Sequence, residues 1–243
     1  MRTFAIGDVH GRADLLDALL AKIAISDSPN ARIVFLGDII DRGPESRRAM
    51  DLVAETLNSS KNSRLILGNH EEFLLRFINQ IGDAEKLLWA WVRGGGLPTL
   101  ESYGISHGTS IQQAREKILR EHPLHVEIIR SAVSFVETER FHLVHAGVDP
   151  SVPLPHQDAR KTRWIREEFL DNPESLTKII VHGHTPTPSG LPEVLSNRIA
   201  LDTAAYRSNR LCCAILDDLH PVTFLIAEGH AHSIHVQSST HRG

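Results

Sequence analysis

The chain has 243 residues, of which 41% are hydrophobic and 23% charged, with a formal net charge of −4. Those values suit a soluble globular protein with one sizeable core and argue against broad electrostatic binding to nucleic acid. No apolar run approaches the roughly 18–20 residues of a membrane span, the start of the chain carries no signal-peptide pattern, and the adjacent Cys212 and Cys213 build no disulfide framework, so a cytoplasmic setting is expected.

Residues 3–6 predict a strand and 14–25 a helix, with Leu15, Leu16, Leu19, Leu20 and Ile23 on one stripe. A strand at 32–36, a helix from about 45 to 57, a strand at 65–67 and a helix at 71–81 follow. This alternation predicts βαβ units and parallel pairing. From about 84 to 133 the pattern is helical but less regular, as expected of an insertion or cap over the site. Gly94-Gly95-Gly96 reads equally as a hinge or as a turn between helices, and the preceding Trp89 and Trp91 read as core before they read as lining. A loop at 104–109 and a helix opening at Pro123 complete that region. Strands are then predicted at 133–137, 141–145, 178–181, 199–201, 211–216 and 222–226, with a loop at 150–155 and a short helix at 163–170. Residues 228–243 are polar, His-rich and without periodicity, so one domain over 1–227 followed by a mobile tail is expected. His230, His232, His235 and His241 belong to that tail rather than to a metal site.

Chemistry-bearing residues stand at the ends of the apolar runs, beside glycines: Asp8 and His10, Asp38, Asn69 and His70, His145, and His184. In a mainly parallel sheet, residues just past the strand ends meet along one edge, so these distant groups can share a site. Asp8 and His10 point the same way in extended chain, Asp38 is placed to bridge, Asn69 offers a neutral oxygen, and His145 and His184 add imidazoles. That set meets the need of two cations about 3.5–4 Å apart that clamp a phosphate ester. Each residue alone is more often a helix cap or a satisfied core group; the ordered set is not. His182, two residues before His184, could reach the same cluster. Arg42 is the first candidate for phosphate, because a guanidinium fork binds two oxygens at once. Arg163 reads as a solvated charge. His70 suits proton transfer to a leaving group, Asp41 can hold its other ring nitrogen, and Glu71 reads as structural, paired with an arginine.

Gly7-Asp8-Val9-His10-Gly11, Gly37-Asp38-Ile39-Ile40-Asp41-Arg42-Gly43 and Gly68-Asn69-His70-Glu71 resemble the three signature blocks of the phosphoprotein phosphatase family, the serine/threonine branch of the calcineurin-like metallophosphoesterases. His145-Ala146-Gly147 and Gly183-His184-Thr185 are similar to its two later His motifs. The resemblance covers roughly residues 1 to 217 and is nearest to compact bacterial and phage-type members. It implies an α/β fold (α+β by some schemes), a central β-sandwich flanked by helices. It implies one metal on Asp8, His10 and Asp38 and a second on Asp38, Asn69, His145 and His184, with Mn²⁺ expected and Fe or Zn as alternatives. It selects His184 over His182, gives Arg166 of Trp164-Ile165-Arg166 as the second phosphate arginine, and pairs Asp41 with His70. The implied enzyme hydrolyses phosphomonoesters by direct attack of a metal-bridging hydroxide, leaving Cys212 and Cys213 buried and uninvolved. A phosphoprotein is the first expected substrate and a small phosphate ester the second, with no nucleic-acid or membrane partner; a monomer is compatible with the sequence.

One departure is Leu201-Asp202-Thr203-Ala204-Ala205, where Ala204 replaces the glycine of a late Asp-Thr-Gly segment. The nearest rival is a symmetrical diadenosine tetraphosphate hydrolase; Asp41 and Glu71 weigh toward the protein-phosphatase side. A cyclic-nucleotide phosphodiesterase fits poorly, because Thr185 follows His184. A catalytically silent binding module would lack His70, Arg42 or a ligand, and all are present.

Overall fold

A computed structural model describes residues 2–26, 31–230 and 233–240; His232 and His241 lie outside them. The chain opens on a βαβαβα run: β1 (Thr3–Ile6), α1 (Ala13–Ala24), β2 (Arg32–Phe35), α2 (Ser46–Ser59), β3 (Arg64–Leu65) and α3 (Asn69–Ile78). Strand β1 is buried throughout and pairs in parallel with β2, Thr3 opposite Arg32, while β2 pairs in parallel with β3. The expected stripe of α1 is the buried one, through Leu15, Leu16, Leu19 and Ile23. Helix α3 begins at Asn69, earlier than its apolar periodicity suggests, because the Glu71 side chain turns back to accept from the Gly68 N–H at 3.2 Å.

The insertion comprises α4 (Ala84–Trp91), a π-helical turn at Val92–Gly96, α5 (Leu97–Ser102), α6 (Ile111–Glu121) and α7 (Pro123–Arg130). Asp83 caps α4 by accepting from Glu85 and Lys86, and Ser110 caps α6 with Gln113. Leu87, Trp91, Leu100, Ile118 and Ile129 share one apolar cluster with α1, α2 and α3. Trp91 is therefore core, whereas Trp89 is exposed.

The second half holds β4 (Phe135–Glu137), β5 (Phe141–Val144), α8 (Glu167–Leu170), β6 (Ile179–His182), β7 (Glu193–Val194), β8 (Arg198–Ala200), α9 (Ala205–Ser208), β9 (Arg210–Leu216), β10 (Thr223–Glu228) and β11 (His235–Thr240). The strands form two sheets, in the orders β11-β10-β9-β1-β2-β3 and β4-β5-β6-β8-β7. Ala5, Val34 and Leu36 of the first meet Leu143, Val181 and Ile199 of the second in a shared core, while Phe4, Ile6 and Phe35 face the helices. The period-2 alternation of strands produces this division. It also sends the adjacent Cys212 and Cys213 to opposite faces, both free and buried. The result is an α/β sandwich flanked by helices.

Three local expectations are corrected. Among the described residues the first half pairs in parallel as expected, through β1–β2–β3, and so do β5–β6–β8 and an isolated Ile66↔Val133 bridge, but β9, β10 and β11, and β4 and β7, pair antiparallel, so each sheet is mixed rather than mainly parallel. The helix expected at 163–170 divides into a 3₁₀ turn at Lys161–Arg163 and α8, because Arg166 leaves helical geometry at φ −134° and ψ −98°. Within the stretch expected to be a mobile tail, β11 pairs antiparallel with β10 from Glu228↔His235 to Thr223↔Thr240. Its polar residues gave no alternating apolar signal because they lie on an exposed edge. Among the described residues, no helix is long and apolar enough to cross a membrane.

Candidate metal centre

The site forms where the parallel strands of both sheets end. Asp8 follows β1, Asp38 follows β2, Asn69 opens α3, and His145 and His184 follow β5 and β6. Direct bonds join the two sheets here. The His145 ring Nδ1 lies 2.7 Å from Leu36 O, and the His184 N–H donates to both oxygens of Asp8 at 3.0 and 3.1 Å. The approach is close enough to require glycine: at Gly37 (φ +100°) a Cβ would lie 2.7 Å from Gly68 Cα and 2.9 Å from His145 Nδ1.

Asp38 occupies the middle. Its Oδ1 lies 3.4 Å from His145 Nε2, and its Oδ2 lies 3.7 Å from His10 Nε2 and 3.8 Å from His70 Nε2. Asn69 Oδ1 lies 3.0 Å from His145 Nε2 and 2.8 Å from His184 Nδ1. Two compact groups result, His10–Asp38–His70 and Asp38–His145–His184, sharing one carboxylate. The donor set fits divalent cations. His10 Nδ1 is 2.8 Å from Ile40 O and His145 Nδ1 2.7 Å from Leu36 O, so backbone carbonyls fix both rings with Nε2 facing the cluster. His10 Nε2 and His184 Nε2 are buried without a hydrogen-bond partner, a costly state unless their lone pairs serve a ligand. Burial foremost drives the His10 pKa down to about 3 and that of His184 to about 2, keeping both rings neutral as ligation requires. Burial works against the charge on Asp38, but His145 and His70 outweigh it and hold its pKa well below the usual carboxylate value. Asp8 sits at the edge of this cluster; burial, Asp202 and Asp38 together raise its pKa.

Backbone strain concentrates at the same place. Among the described residues, positive φ at non-glycine positions falls on His10, Asp38, Asp41, Arg42 and His184, and elsewhere on Gln80, Ala204 and Asn209. Such conformations cost on the order of 1–3 kcal/mol each and persist only where the surroundings over-determine them. Glu71 supplies part of that restraint, accepting from the N–H groups of Asp38 and Ile39 at 2.8 Å and of Ile40 at 3.2 Å. Its role is structural, as expected, but its partners are backbone amides rather than an arginine. Burial and Asp38 push its pKa up to about 7 against the pull of those amides.

Asp41 and His70 are paired, His70 Nδ1 lying 2.6 Å from Asp41 Oδ2. Trp91 Nε1 donates to the same oxygen at 2.8 Å, and Thr99 Oγ1 donates to Oδ1 at 2.6 Å. Burial lowers the His70 pKa, but Asp38 and Asp41 more than compensate and leave it raised. Arg42 Nη2 approaches His70 Nε2 at 3.1 Å, and the guanidinium carbon lies 5.1 Å from the Tyr206 ring centre. Arg166 reaches the opposite side, with Nη1 3.3 Å from Thr185 Oγ1 and Nη2 3.5 Å from His184 O. Arg163 is instead tied to Glu72 at 3.0 Å. His182 is buried against Phe169 and lies outside both groups.

The residues singled out from the sequence are thus brought together, and the structure adds others. Asp202, buried beside Asp8, bonds the Ala204 N–H through Oδ1 and leaves Oδ2 without a partner. Its place just after β8 was the available signal. Ala204 keeps a left-handed φ of +52° despite its methyl group. Tyr206 stands edge-on to His10 at 5.6 Å between ring centres, and no motif pointed to it.

Residues 1–233 match the calcineurin-like phosphoesterase family. The chain belongs to that family. A calcineurin-like phosphoesterase is a metal-dependent hydrolase of phosphate bonds, which the two acid–imidazole groups suit. Among curated relatives, the asymmetrical bis(5'-nucleosyl)-tetraphosphatase PrpE of Oceanobacillus iheyensis is 27% identical over 87% of each chain. The symmetrical bis(5'-nucleosyl)-tetraphosphatase of Coxiella burnetii is 32% identical over 148 residues, 61% of this chain but only 42% of its own length. A solved structure provisionally assigned as a diadenosine tetraphosphatase superposes with a TM-score of 0.61 at 15% identity, covering 98% of this chain and 93% of its own. A protein serine/threonine phosphatase from Saccharomyces cerevisiae gives 0.54 at 13% identity, over 100% and 81%. These two likenesses establish the calcineurin-like fold.

Proposed function

We propose that this chain is a two-metal phosphohydrolase whose substrate is a dinucleoside polyphosphate. The observation that carries the reaction type is Asp38, whose two oxygens face different imidazole groups, with Arg42 and His70 beside one and Arg166 beside the other. The observation that weighs on substrate is the similarity to PrpE along most of both chains. The serine/threonine preference expected from Asp41 and Glu71 loses its force here. Glu71 spends its oxygens on backbone amides, and Asp41 spends its own on His70, Trp91 and Thr99. Neither has an oxygen left to distinguish a protein from a nucleotide.

Asp8, His10 and Asp38 would hold one cation and Asp38, Asn69, His145 and His184 the other; Mn²⁺, Fe and Zn all suit this donor set. We leave His70 out because Asp41 and Arg42 take both of its ring nitrogens. When bound, two such cations neutralise phosphate charge and supply an activated water. Arg42 and Arg166 bind the remaining oxygens of the transferring group from two sides. His70, held through Nδ1 by Asp41, would give a proton from Nε2 to the departing oxygen once Arg42 turns from that nitrogen to the phosphate. Residues 1–227 act as one catalytic unit, with the insertion part of its helical layer, and the free cysteines suit a cytoplasmic enzyme.

The test is a side-by-side assay with Mn²⁺ of diadenosine tetraphosphate, phosphoserine and phosphothreonine peptides, and p-nitrophenyl phosphate. Preference for the dinucleotide is expected. ADP as sole product marks symmetrical cleavage, and ATP with AMP marks asymmetrical cleavage. Faster peptide turnover would favour the second reading, a serine/threonine phosphatase. The Asp41–His70 pair supports that reading, since an alkoxide needs a proton more than a departing phosphate does.

A further inference from the structure

We propose that Gly95, in the turn between α4 and α5, is a positioning residue for Arg42, so that the helical insertion sets the phosphate grip. This rests on Arg42 being a phosphate ligand. Arg42 lies in the left-handed region at φ +68°, directly after Asp41 at φ +73°. Its backbone N–H donates to Gly95 O at 2.8 Å, which fixes that conformation from outside the loop. Gly95 also fits against the side chain: a Cβ there would lie 2.7 Å from Arg42 Cγ and 3.3 Å from its N. The stem of Arg42 thus rests on bare backbone, and its head is turned toward His70 Nε2 and the Tyr206 ring.

Gly95 itself sits at φ +112°, inside the π-helical turn where the helix path breaks. Wider turns of this kind often mark functional positions. The neighbouring Gly94 is an internal control, because a Cβ built there meets nothing within 4 Å. The same segment fixes Asp41, through Trp91 from before the turn and Thr99 from after it. The glycine triplet is therefore neither a free hinge nor a plain connector; its middle residue is shaped to the arginine.

The experiment compares Gly95→Ala, Gly94→Ala, Arg42→Ala and Gly95→Ala/Arg42→Ala in Mn²⁺-loaded full-length protein. Inorganic phosphate is the probe, read both as a competitive inhibitor and by its stabilisation of the protein in thermal melts. Displacing a catalytic group by about 1 Å can cost about 100-fold, so Gly95→Ala should weaken phosphate binding by about 10- to 100-fold with metal content unchanged. Gly94→Ala should match wild type, and Gly95→Ala should add nothing once Arg42 is alanine. An equal loss from Gly95→Ala with and without Arg42 would overturn the inference, as would unaltered phosphate binding in the single variant. If Arg42→Ala itself binds phosphate normally, the reading of the site fails and takes the inference with it. Should Gly95→Ala not fold, Gly95→Asn, a side chain more tolerant of positive φ, takes its place in the same comparison, and unaltered phosphate binding there would overturn the inference.

Discussion

The two arginines at the centre are held very differently. Arg42 is fixed at its backbone by Gly95, along its stem by the same glycine and at its head by His70 and Tyr206. Arg166 sits at a break between a 3₁₀ turn and α8, and among the described residues its guanidinium makes long contacts of 3.3 and 3.5 Å with Thr185 and His184. A guanidinium that cannot reorganise stabilises developing charge most effectively, whereas a looser one follows substrates of different shape. On the proposed reading, the braced side would set the chemistry and the looser side would accommodate what the phosphate is attached to.

The largest effect should come from removing what both sides share. Asp38→Ala is expected to lower turnover by at least about 1000-fold and to empty both metal positions by elemental analysis, whereas His184→Ala should deplete one preferentially. Equal depletion by both would break the picture of a shared carboxylate. Next, Arg42→Lys should cost about 100-fold in kcat/KM and Arg166→Lys about 10-fold or less. Equal losses would remove the contrast between the arginines. A third measurement separates proton transfer from phosphate grip. His70→Asn should retain its metal and lose about 100-fold or more on an alkyl phosphate, with a much smaller loss on a dinucleotide, whose leaving phosphate needs little protonation. Uniform loss across leaving groups would refute the proton-donor role.

The smallest expected effect concerns the insertion itself. His125 of α7 lies between Tyr103 and Asp51, with its ring stacked on His122 and Arg47 close by. Burial lowers its pKa, with Asp51 opposing. Folding then favours the neutral ring, so its contribution is fully present above the unfolded value of about 6.5 and is lost as pH falls from there through the lower folded value. Amide protection factors in α7, corrected for the base-catalysed intrinsic rate, should therefore fall at pH 5.5 relative to pH 7.5, and His125→Gln should flatten that change. No difference between the two pH values would count against it.

Much of this was legible in the sequence because ligand chemistry and strand ends coincide. Asp8, Asp38, His145 and His184 each follow an apolar run whose pattern is visible without the fold. The boundary between the two sheets was not visible, since β1 and β6 have similar apolar runs and nothing local says which strands pair. β11 was hidden by its polar exposed edge. The bracing of Asp41 and Arg42 by Trp91, Gly95 and Thr99 spans some fifty residues, and such contacts leave no periodic trace. Asp41 and Glu71 say little about the substrate, because their oxygens are taken by His70, Trp91, Thr99 and backbone amides.

The pairing of Asp8 with the His184 amide, and of His145 with Leu36 O, makes the centre a seam between the two sheets. Cations seated there would act as rivets across it. Metal loss would then allow the sheets to part along that line, so chelation should lower the barrier to unfolding as well as stop turnover, and longevity of the fold would track metal supply.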